Sequence, residues 1–364
     1  MKYKLKELAD ISSSKRIYYS EYTNKGIPFY RGKEIIEKSE NKDISNELFI
    51  SKERYEELKI KYGVPQKGDI IMTAVGTLGK CWLVDSTEFY FKDGNCLWFY
   101  NFNRKINNKY LYYYMCSNFF QNKIDNICIG STQKALTIQQ LKEVNINIPC
   151  IETQNKIVKI LDNICHKIRI NSQTNDNLYK IIKTQYDKFI NDIKEYELVK
   201  LKDIANVSSG KRPKIKGNEF DIPLIGASGV MAYTDNYNFN EDILIIGRVG
   251  TLGVVQRYFD KIWASDNTLT IKTEYSSVME CYLKTVDYIS LNRGSTQPLI
   301  TQTDISNLEM KFNKMEFMKF ENEIKPLRNK IYQNELQNET LEQLRDILLP
   351  KLMNGEIDLD KIEI

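Results

Sequence analysis

The sequence predicts an α+β fold made by tandem duplication, in which two α+β domains are joined by two long helices that pack as an antiparallel coiled coil with pseudo-twofold symmetry. Three observations predict it. Short motifs recur in the same order in the two halves of the chain. Each half contains short apolar runs that end at glycine-rich turns, which is typical of strands. Each half is then followed by a heptad pattern of apolar residues. A repeat on this scale indicates architecture more reliably than any single motif.

Two motifs recur unchanged. Gly-Ser-Thr-Gln occurs at 130–133 and 294–297, and Val-Gly-Thr-Leu-Gly occurs at 75–79 and 249–253. Weaker matches pair Lys15-Arg16 with Lys211-Arg212, and Asn95 with Asn267. The order of the matches is never broken, so the second copy is a shortened version of the first.

The repeat and the heptads divide the chain into four parts. We predict a first domain at 1–150, a long helix at 151–195, a second domain at 196–313, and a second long helix with a tail at 314–364. In the first domain, the apolar run at 70–72 predicts a strand and the aromatic stretch at 110–115 predicts a helix.

The heptad positions define one seam on each long helix. On the first helix it comprises Ile157, Leu161, Ile164, Ile168, Asn171, Asn175, Leu178, Ile182, Gln185 and Phe189, and on the second Phe320, Ile324, Leu327, Ile331, Asn334, Asn338, Leu341, Arg345, Leu348 and Leu352. Each second position lies 163 residues after its counterpart. Matched asparagines penalise wrong registers, so they indicate that the two helices meet. The first seam would reach roughly 50 Å. The alternative is that each helix lies on its own domain.

Pro326 falls inside the second pattern. It must therefore either kink that helix or mark its first turn.

Composition limits the function classes. Fifty-two Lys and Arg against 48 Asp and Glu give a net charge of +4, so any nucleic-acid surface must be local. The single histidine, His166, excludes paired-histidine metal sites and is expected on a helix, partly exposed. Seven cysteines without a Cys-x-x-Cys pair predict reduced, mostly buried thiols. No apolar run reaches the roughly 20 residues that span a bilayer, and we expect a cytoplasmic protein.

The repeated motifs predict a DNA-binding surface. A Gln amide can pair with an adenine edge, while Ser and Thr hydroxyls and basic side chains can reach phosphates. The alternatives are an ordinary loop for Gly-Ser-Thr-Gln, a plain hairpin turn for Val-Gly-Thr-Leu-Gly, and solvated surface for the basic pairs. The candidate residues are Lys15, Arg16, Arg31, Lys33, Thr77, Gly130, Ser131, Thr132, Gln133, Lys134, Lys211, Arg212, Lys214, Arg248, Thr251, Arg293, Gly294, Ser295, Thr296 and Gln297.

The two copies also differ. Arg248 stands where the first copy has Ala74, and Arg31 and Lys33 have no basic counterparts around 225–227. Such differences are expected if the two domains recognise different bases. The sequence contains no Asn-Pro-Pro-Tyr-like element, no glycine-rich cofactor fingerprint and no repeated carboxylate cluster beside a lysine. We therefore predict no catalytic residues and no metal site.

This organisation resembles the specificity subunit of type I restriction-modification enzymes, called HsdS. The resemblance covers essentially the whole chain. It is carried by the duplicated Gly-Ser-Thr-Gln, by Ile148-Pro149 leading into Glu-Thr-Gln-Asn-Lys-Ile at 152–157, and by the run at 341–357. The second helical region departs from the family pattern, because Asn-Lys-Met-Glu-Phe-Met at 313–318 replaces the expected proline and glutamine.

The resemblance implies a non-catalytic subunit without a cofactor of its own. Each domain would recognise one half of a bipartite double-stranded DNA target, and the coiled coil would fix the spacer. It would also dock two methyltransferase (HsdM-type) subunits, which bind S-adenosylmethionine, and motor-nuclease (HsdR-type) subunits could join. The alternatives are the recognition subunit of a type II system with a fused methyltransferase-nuclease partner, a self-sufficient nuclease or methyltransferase, and a duplicated binding module not directed at DNA methylation.

Overall fold

The computed structural model describes residues 1–40, 42–128, 134–217, 219–294, 296–357 and 359. The chain forms two compact units. Unit 1 consists of Met1–Asn171 together with Leu336–Ile364, and unit 2 consists of Ser172–Glu335. Each unit therefore contains one globular domain and one part of each long helix.

The domain of unit 1 is a mixture of short strands and helices, with 3-10 turns at Leu5–Glu7, between its first two strands, and at Tyr19–Glu21. Its strands are β1 (Lys2–Lys4), β2 (Asp10–Ser12), β3 (Tyr22–Thr23), β4 (Ile27–Tyr30), β5 (Phe49–Ile50), β6 (Ile70–Thr73), β7 (Cys81–Leu83), β8 (Tyr90–Phe91), β9 (Cys96–Tyr100) and β10 (Asn145–Asn147). Its helices are α1 (Gly32–Ser39), α2 (Lys52–Tyr62), α3 (Asn108–Cys116), α4 (Asn118–Ile127) and α5 (Ile138–Lys142), followed by the long helix α6 (Ile151–Asp192).

The domain of unit 2 repeats this plan. Its strands are β11 (Glu197–Lys200), β12 (Asn206–Ser209), β13 (Ile222–Gly226), β14 (Gly229–Thr234), β15 (Phe239–Asn240), β16 (Ile243–Gly247), β17 (Val255–Tyr258), β18 (Lys261–Ala264), β19 (Thr268–Lys272) and β20 (Glu309–Phe312). Its helices are α7 (Leu201–Ile204), α8 (Ser276–Leu283) and α9 (Gln302–Ser306), followed by the long helix α10 (Lys314–Met353).

The central sheets of the two domains correspond strand for strand. The central sheet of unit 1 has the order β2-β9-β6-β7 and that of unit 2 has the order β12-β19-β16-β17, with all neighbours antiparallel. A second four-stranded sheet contains one parallel pair, β4 with β8 or β13 with β18. A two-stranded sheet joins the first and last strands of each domain. The predicted α+β duplication is confirmed.

The main core of each unit joins its central sheet to both long helices. In unit 1, Ile157 and Leu161 of α6 pack in the same cluster as Leu349 and Leu352 of α10. In unit 2 the cluster contains Ile182 and Tyr186 of α6 and an α10 segment that includes Ile324. Burial of each such side chain contributes about 1.5–3 kcal/mol. The helices are therefore part of each core and do not merely connect the domains.

Within each unit, α6 and α10 pack antiparallel, with asparagines at the contact. In unit 1, Asn171 Nδ2 donates to Asn338 Oδ1 over 2.9 Å. In unit 2, Asn334 Nδ2 donates to Asn175 Oδ1 over 2.7 Å, and both side chains are buried. Each predicted asparagine thus meets an asparagine of the other helix, which excludes the alternative of two independent helices.

The other seam positions lie inward along both helices. Ile157, Leu161, Ile164, Ile324 and Ile331 are buried, and Ile168, Leu178, Leu327 and Leu341 are half-buried. Gln185, which the heptad placed in the seam, is exposed, and Tyr186 is buried instead. The reason is that α6 here packs on the core of unit 2, where the Tyr186 ring lies 6.2 Å from that of Phe320.

The second long helix begins differently from the first. In α10, Asn313 Oδ1 accepts the N–H groups of Met315 and Glu316 over 3.1 and 3.2 Å. In α6, the buried Gln154 accepts from the Asn107 N–H over 2.9 Å and donates to two backbone carbonyls. The residue 163 positions after Gln154 is Phe317, which is buried against other aromatic rings. An asparagine cap and an aromatic cluster thus replace the glutamine network of the first helix.

Pro326 lies inside α10, twelve residues after the first helical residue. The alternative that it marks the first turn of the helix is therefore wrong.

His166 is exposed on α6, with its Nδ1 3.0 Å from Arg169 Nη2. The expectation of mostly buried cysteines is wrong, because only Cys81, Cys96 and Cys281 of the seven are buried. Within the described residues, no helix is long and apolar enough to cross a membrane.

Candidate nucleic-acid interface

Three of the repeated segments of unit 1 lie at one end of its central sheet. Because the neighbouring strands are antiparallel, β2 and β6 end where β7 and β9 begin. This end, called the motif end below, carries the segment after β2 with Lys15, the hairpin loop 74–80, and the loop before β9 with Asn95. In unit 2 the corresponding segments follow β12 and β16 and precede β17 and β19.

The residues just after Gly-Ser-Thr-Gln are anchored beside Val-Gly-Thr-Leu-Gly in both units. In unit 1, Val75 forms a bridge with Ala135, and the Leu136 N–H donates to the Ala74 carbonyl over 2.9 Å. In unit 2, Val249 forms a bridge with Leu299, and the Gly250 N–H donates to the Pro298 carbonyl over 3.0 Å. Gly130, Ser131, Thr132, Gln133 and Ser295 lie outside the described residues. In both units the chain just after Gly-Ser-Thr-Gln thus lies beside Val-Gly-Thr-Leu-Gly at the motif end.

The backbone conformation and the packing of the hairpin loops explain the glycines of Val-Gly-Thr-Leu-Gly. Gly76 and Gly79 have φ of 78° and 74°, and their counterparts in unit 2 have 78° and 72°. A Cβ atom on Gly79 would lie 2.3 Å from Ile124 Cδ1, and one on Gly253 would lie 2.2 Å from Tyr288 Cδ2. The motif forms the β6–β7 and β16–β17 hairpin loops, as its turn interpretation expects. Thr77 and Thr251 are exposed in these loops, so a contact with DNA stays a prediction.

The described part of the second Gly-Ser-Thr-Gln is a tight turn. A Cβ atom on Gly294 would lie 1.8 Å from the Gln297 carbonyl oxygen, so only glycine fits. Asn292 Oδ1 accepts the N–H groups of Gly294 and Leu299, each over 2.9 Å. Thr296 and Gln297 are exposed. Their polar groups therefore project from a fixed backbone.

The basic candidates of unit 1 differ in how firmly they are held. Arg31 pairs with the buried carboxylate of Glu34 over 2.6 Å at the start of α1, which gives it a structural role. Arg16 lies 3.2 Å from Asp93 Oδ2. Lys33 is 60% exposed, 3.8 Å from Glu37, and Lys134 is 55% exposed, 3.9 Å from Asp125. The two lysines are the more available to a phosphate.

The remaining cation of the first basic pair is Lys15. It is exposed, and its Nζ lies 4.9 Å from the centre of the Tyr62 ring. An aromatic face attracts an ammonium group only weakly at an exposed site. Lys15 therefore also stays available to a phosphate.

In unit 2, Arg248 and Arg293 occupy different environments. Arg248 Nη1 lies 3.4 Å from Ser209 Oγ, and its buried Nε finds no hydrogen-bond partner among the described residues. Arg293 Nε donates to both carboxylate oxygens of Asp304, over 2.9 and 3.1 Å. Burial raises the pKa of Asp304, but its bonds with Arg293 and Thr301 outweigh burial and lower that pKa. Arg293 is thus engaged within the domain, whereas Arg248 has donor capacity left.

Lys211, Arg212 and Lys214 are exposed and form no ion pair in the part of the chain that the structure describes. They follow β12 and therefore project at the motif end of unit 2. Together with Arg248, they give the motif end of unit 2 more available cationic groups than that of unit 1.

The loops before β9 and β19, which carry Asn95 and Asn267, are not among the residues that the sequence predicted to bind DNA. The Ala74 N–H donates to the Asn95 carbonyl over 2.8 Å, and the Arg248 N–H donates to the Asn267 carbonyl over 3.0 Å. The recurrence of asparagine at 95 and 267 was the available signal. Asp266 and Asn267 are exposed, so they add acceptor and amide groups to the motif end.

The motif ends offer hydroxyl, amide and cationic groups on loops fixed by a buried sheet. Such groups can bind phosphates and base edges. No group of three His, Cys, Asp or Glu side chains close enough to hold a metal ion occurs among the described residues.

Comparisons with known proteins agree with this geometry. A family model described as the type I restriction modification DNA specificity domain matches residues 1–180 and 193–316. The type I restriction enzyme specificity subunit S.HindORF215P of Haemophilus influenzae is 36% identical over 163 residues, which are 44% of this chain and only 39% of that protein. The MjaIX specificity subunit of Methanocaldococcus jannaschii is 24% identical over 304 residues, 70% of each chain.

The fold is also found among solved structures. The crystal structure of the type I restriction-modification S subunit from M. genitalium matches with a TM-score of 0.66 at 17% identity, covering 97% of this chain and 95% of that chain. At this identity the match shows a shared fold. The comparisons give no support to a type II system or to an unrelated binding module.

Proposed function

Since the chain belongs to the type I restriction-modification DNA specificity family, we propose that it is the non-catalytic subunit that directs a methyltransferase and restriction complex to a bipartite DNA target. Each motif end binds one half of the target. The observation that carries the proposal is that both units place Val-Gly-Thr-Leu-Gly and the residues just after Gly-Ser-Thr-Gln at the same end of the same sheet, while neighbouring side chains differ, as Ala74 and Arg248 do.

Affinity and sequence preference have different sources in this proposal. Lys15, Lys134 and the basic segment after β12 bind phosphates, which positions the domain without selecting a sequence. Exposed amides and hydroxyls, including Gln297 and Thr296, contact base edges. Arg248, which forms a hydrogen bond of 3.4 Å to Ser209 through Nη1, binds guanine in unit 2 only. The two half-sites therefore differ in sequence.

The long helices hold the complex together. Their paired seam sets the distance between the half-sites, and their outer faces dock two methyltransferase (HsdM-type) subunits. Those subunits bind S-adenosylmethionine and methylate adenine, and motor-nuclease (HsdR-type) subunits join for restriction. This chain binds no cofactor of its own and acts on DNA in the cytoplasm. The family match, with two copies of the domain, supports these roles.

A base-resolution methylation map tests the proposal. DNA is taken from cells that make this chain with its cognate methyltransferase subunit, and from cells that make that subunit alone. We expect adenine methylation at a split motif with a fixed gap only when this chain is present. Identical maps despite a stable complex would refute the proposal.

Two controls separate the parts of the proposal. Exchange of residues 1–150 for the corresponding domain of a relative should change one half of the motif and leave the other half, and a change in both halves would refute separate recognition. The purified chain with DNA, Mg²⁺ and S-adenosylmethionine should neither cleave nor methylate. Turnover in that assay would show an enzyme.

A further inference from the structure

A cleft in unit 2 lies beside the motif end, between the segment after β12 and the loop before β19. Its volume is about 330 Å³, which falls within the range of small-ligand sites. Arg212, Lys214 and Lys216 line one side, and Ser265, Asp266 and Asn267 line the other. The cleft therefore combines cations with hydrogen-bonding groups.

The floor of the cleft contains a buried hydroxyl that lacks a partner. Ser265 is 2% exposed. Its Oγ forms no hydrogen bond in the described part of the chain. The backbone around it is fixed, because the Ser265 N–H donates to the Ile225 carbonyl and the Ser265 carbonyl accepts from Thr268, over 3.0 and 2.7 Å. An unpaired buried hydroxyl is unfavourable, so an oxygen atom brought by a ligand would stabilise it.

The basic side of the cleft is open. Arg212, Lys214 and Lys216 are exposed and form no ion pair with any described residue. The base of the segment is held by Lys211, whose N–H donates to the Ala264 carbonyl over 2.9 Å and whose carbonyl accepts from Trp263 Nε1 over 2.6 Å. Three cations facing the single carboxylate of Asp266 favour an anionic ligand that also carries hydrogen-bond donors.

The equivalent segment of unit 1 is held more firmly. After β2, Ser14 Oγ donates to the Phe91 carbonyl over 2.6 Å, the Lys15 N–H donates to the Tyr90 hydroxyl over 2.8 Å, and Arg16 pairs with Asp93 over 3.2 Å. Ile17, the counterpart of Pro213, is 2% exposed. The segment after β2 is thus held by contacts that the described residues of unit 2 do not make, as expected of a feature that distinguishes two recognition domains.

We infer that this cleft binds one strand of the target DNA and selects one base pair of the second half-site. Ser265, Arg212, Lys214 and Lys216 bind a backbone phosphate. The carboxylate of Asp266 accepts a hydrogen bond from the amino group of cytosine in the adjacent base pair, a pairing that a carboxylate favours. The inference rests on the proposed function and assigns it a specific base contact.

Methylation maps of two variants test the base contact in the complex with the methyltransferase subunit. Asp266→Asn should weaken the preference at a single position of the second half-site by about tenfold, and leave the first half-site unchanged. Glu274→Gln makes a similar charge change on an exposed residue beyond the far end of β19, and should alter nothing. An unchanged map for Asp266→Asn, or equal changes in both variants, would overturn the base contact.

Salt dependence tests the phosphate contact without any need for methylation. For the same complex bound to target duplex, Lys214→Gln should reduce the slope of log affinity against log salt by about 0.9. Lys202→Gln, on α7 at the opposite end of the central sheet, should keep the wild-type slope. Equal slopes for Lys214→Gln and wild type would overturn the cleft as a DNA site. If the wild type directs no methylation, the slopes are compared on an arbitrary duplex, and a reduced slope for Lys214→Gln would then refute the proposed function and retain the cleft as a DNA-binding site.

Discussion

At the scale of single residues, the two glycines of Val-Gly-Thr-Leu-Gly separate backbone strain from crowding. Gly76 and Gly79 share nearly the same positive φ, but a Cβ atom on Gly76 meets nothing within 4 Å, whereas one on Gly79 would overlap Ile124 and Gln121. The second glycine is also where Gln121 binds, since its Nε2 donates to the Gly79 carbonyl over 3.0 Å. Recurrence of the motif therefore follows partly from packing, without any role in DNA binding.

We expect Gly79→Ala to lower the free energy of unfolding by about 3 kcal/mol or more, because left-handed strain and overpacking add. Gly76→Ala is the matched control and should cost only about 1–2 kcal/mol, the strain alone. Urea unfolding of the two variants measures the difference. Equal losses would show that α4 moves aside from the added methyl group.

At the scale of elements, buried amides determine the register in which the two long helices pair. Asn175 and Asn334 are 7% and 1% exposed and bond directly to each other. Asn175 Nδ2 also donates to the Ile331 carbonyl over 3.2 Å. A polar pair inside an apolar seam contributes little net stability, but it penalises wrong registers.

We expect Asn334→Ala to destabilise the chain by about 1–3 kcal/mol, because the Asn175 carbonyl oxygen loses its donor in a buried position. The double variant Asn175→Leu with Asn334→Leu should be near neutral or stabilising, since both polar groups are removed together. Chemical unfolding of the single and double variants forms the test. A double variant less stable than Asn334→Ala would contradict this account.

The junction between the domain and α10 in unit 2 is a buried charge cluster. The carboxylate of Glu280 lies 2.6 Å from Arg328, 2.7 Å from Lys284 and 3.4 Å from Arg257. Burial raises the pKa of Glu280, but the three cations outweigh burial, so its pKa lies below the ordinary 4.5. The corresponding junction in unit 1 is smaller, with Asp162 of α6 binding Lys109 and the Tyr113 hydroxyl.

We expect Glu280→Gln to lower the free energy of unfolding by about 3–5 kcal/mol at neutral pH, because it leaves the buried Arg328 without its carboxylate partner. Since the folded pKa is depressed, the carboxylate stabilises the fold fully above about pH 4.5 and loses this effect as pH falls through the folded pKa. The variant should therefore lose less stability than wild type on acidification below pH 4.5. Unfolding measured at pH 7 and below pH 4.5 tests this, with Glu274→Gln as the exposed control. Parallel acid losses in wild type and Glu280→Gln would contradict it.

At the scale of the whole molecule, the proposed function makes helix length a determinant of the target. Seven residues inserted both after Ser172 in α6 and after Leu336 in α10 keep every asparagine opposite its partner. They lengthen each helix by about 10 Å. We expect the methylated motif to gain a spacer about three base pairs longer, as measured by the methylation map. Insertion in α6 alone should misalign the asparagines and weaken the fold. An unchanged spacer in the double insertion would show that the helices do not set it.

The sequence predicted the parts of the fold that depend on local or periodic patterns. The heptads identified both helices and the asparagine contacts, because the seam residues recur at regular intervals within a single helix. The duplication also followed from motifs alone. The meeting of Val75 with Ala135 could not be predicted, since it depends on the antiparallel order of four strands.

The contacts that hold the segment after β2 in unit 1 could not be predicted either. They include the pair of Arg16 with Asp93, a residue 77 positions away. The open cleft of unit 2 was missed for the same reason, because Asp266 gains its place only when β19 lies beside β12. The basic pairs were found by recurrence, but which of them stay available was decided by acidic neighbours that do not recur.

The division of the long helices also determines the order in which the protein can be completed during its synthesis. Unit 2 is one continuous stretch, whereas unit 1 needs Leu336–Ile364 as well as Met1–Asn171. The first domain to leave the ribosome must wait while 164 further residues are translated, about 10–30 s. Until Leu349 and Leu352 arrive, the core that contains Ile157 and Leu161 lacks the part that α10 contributes. The core of the domain made first is therefore completed only at the end of translation.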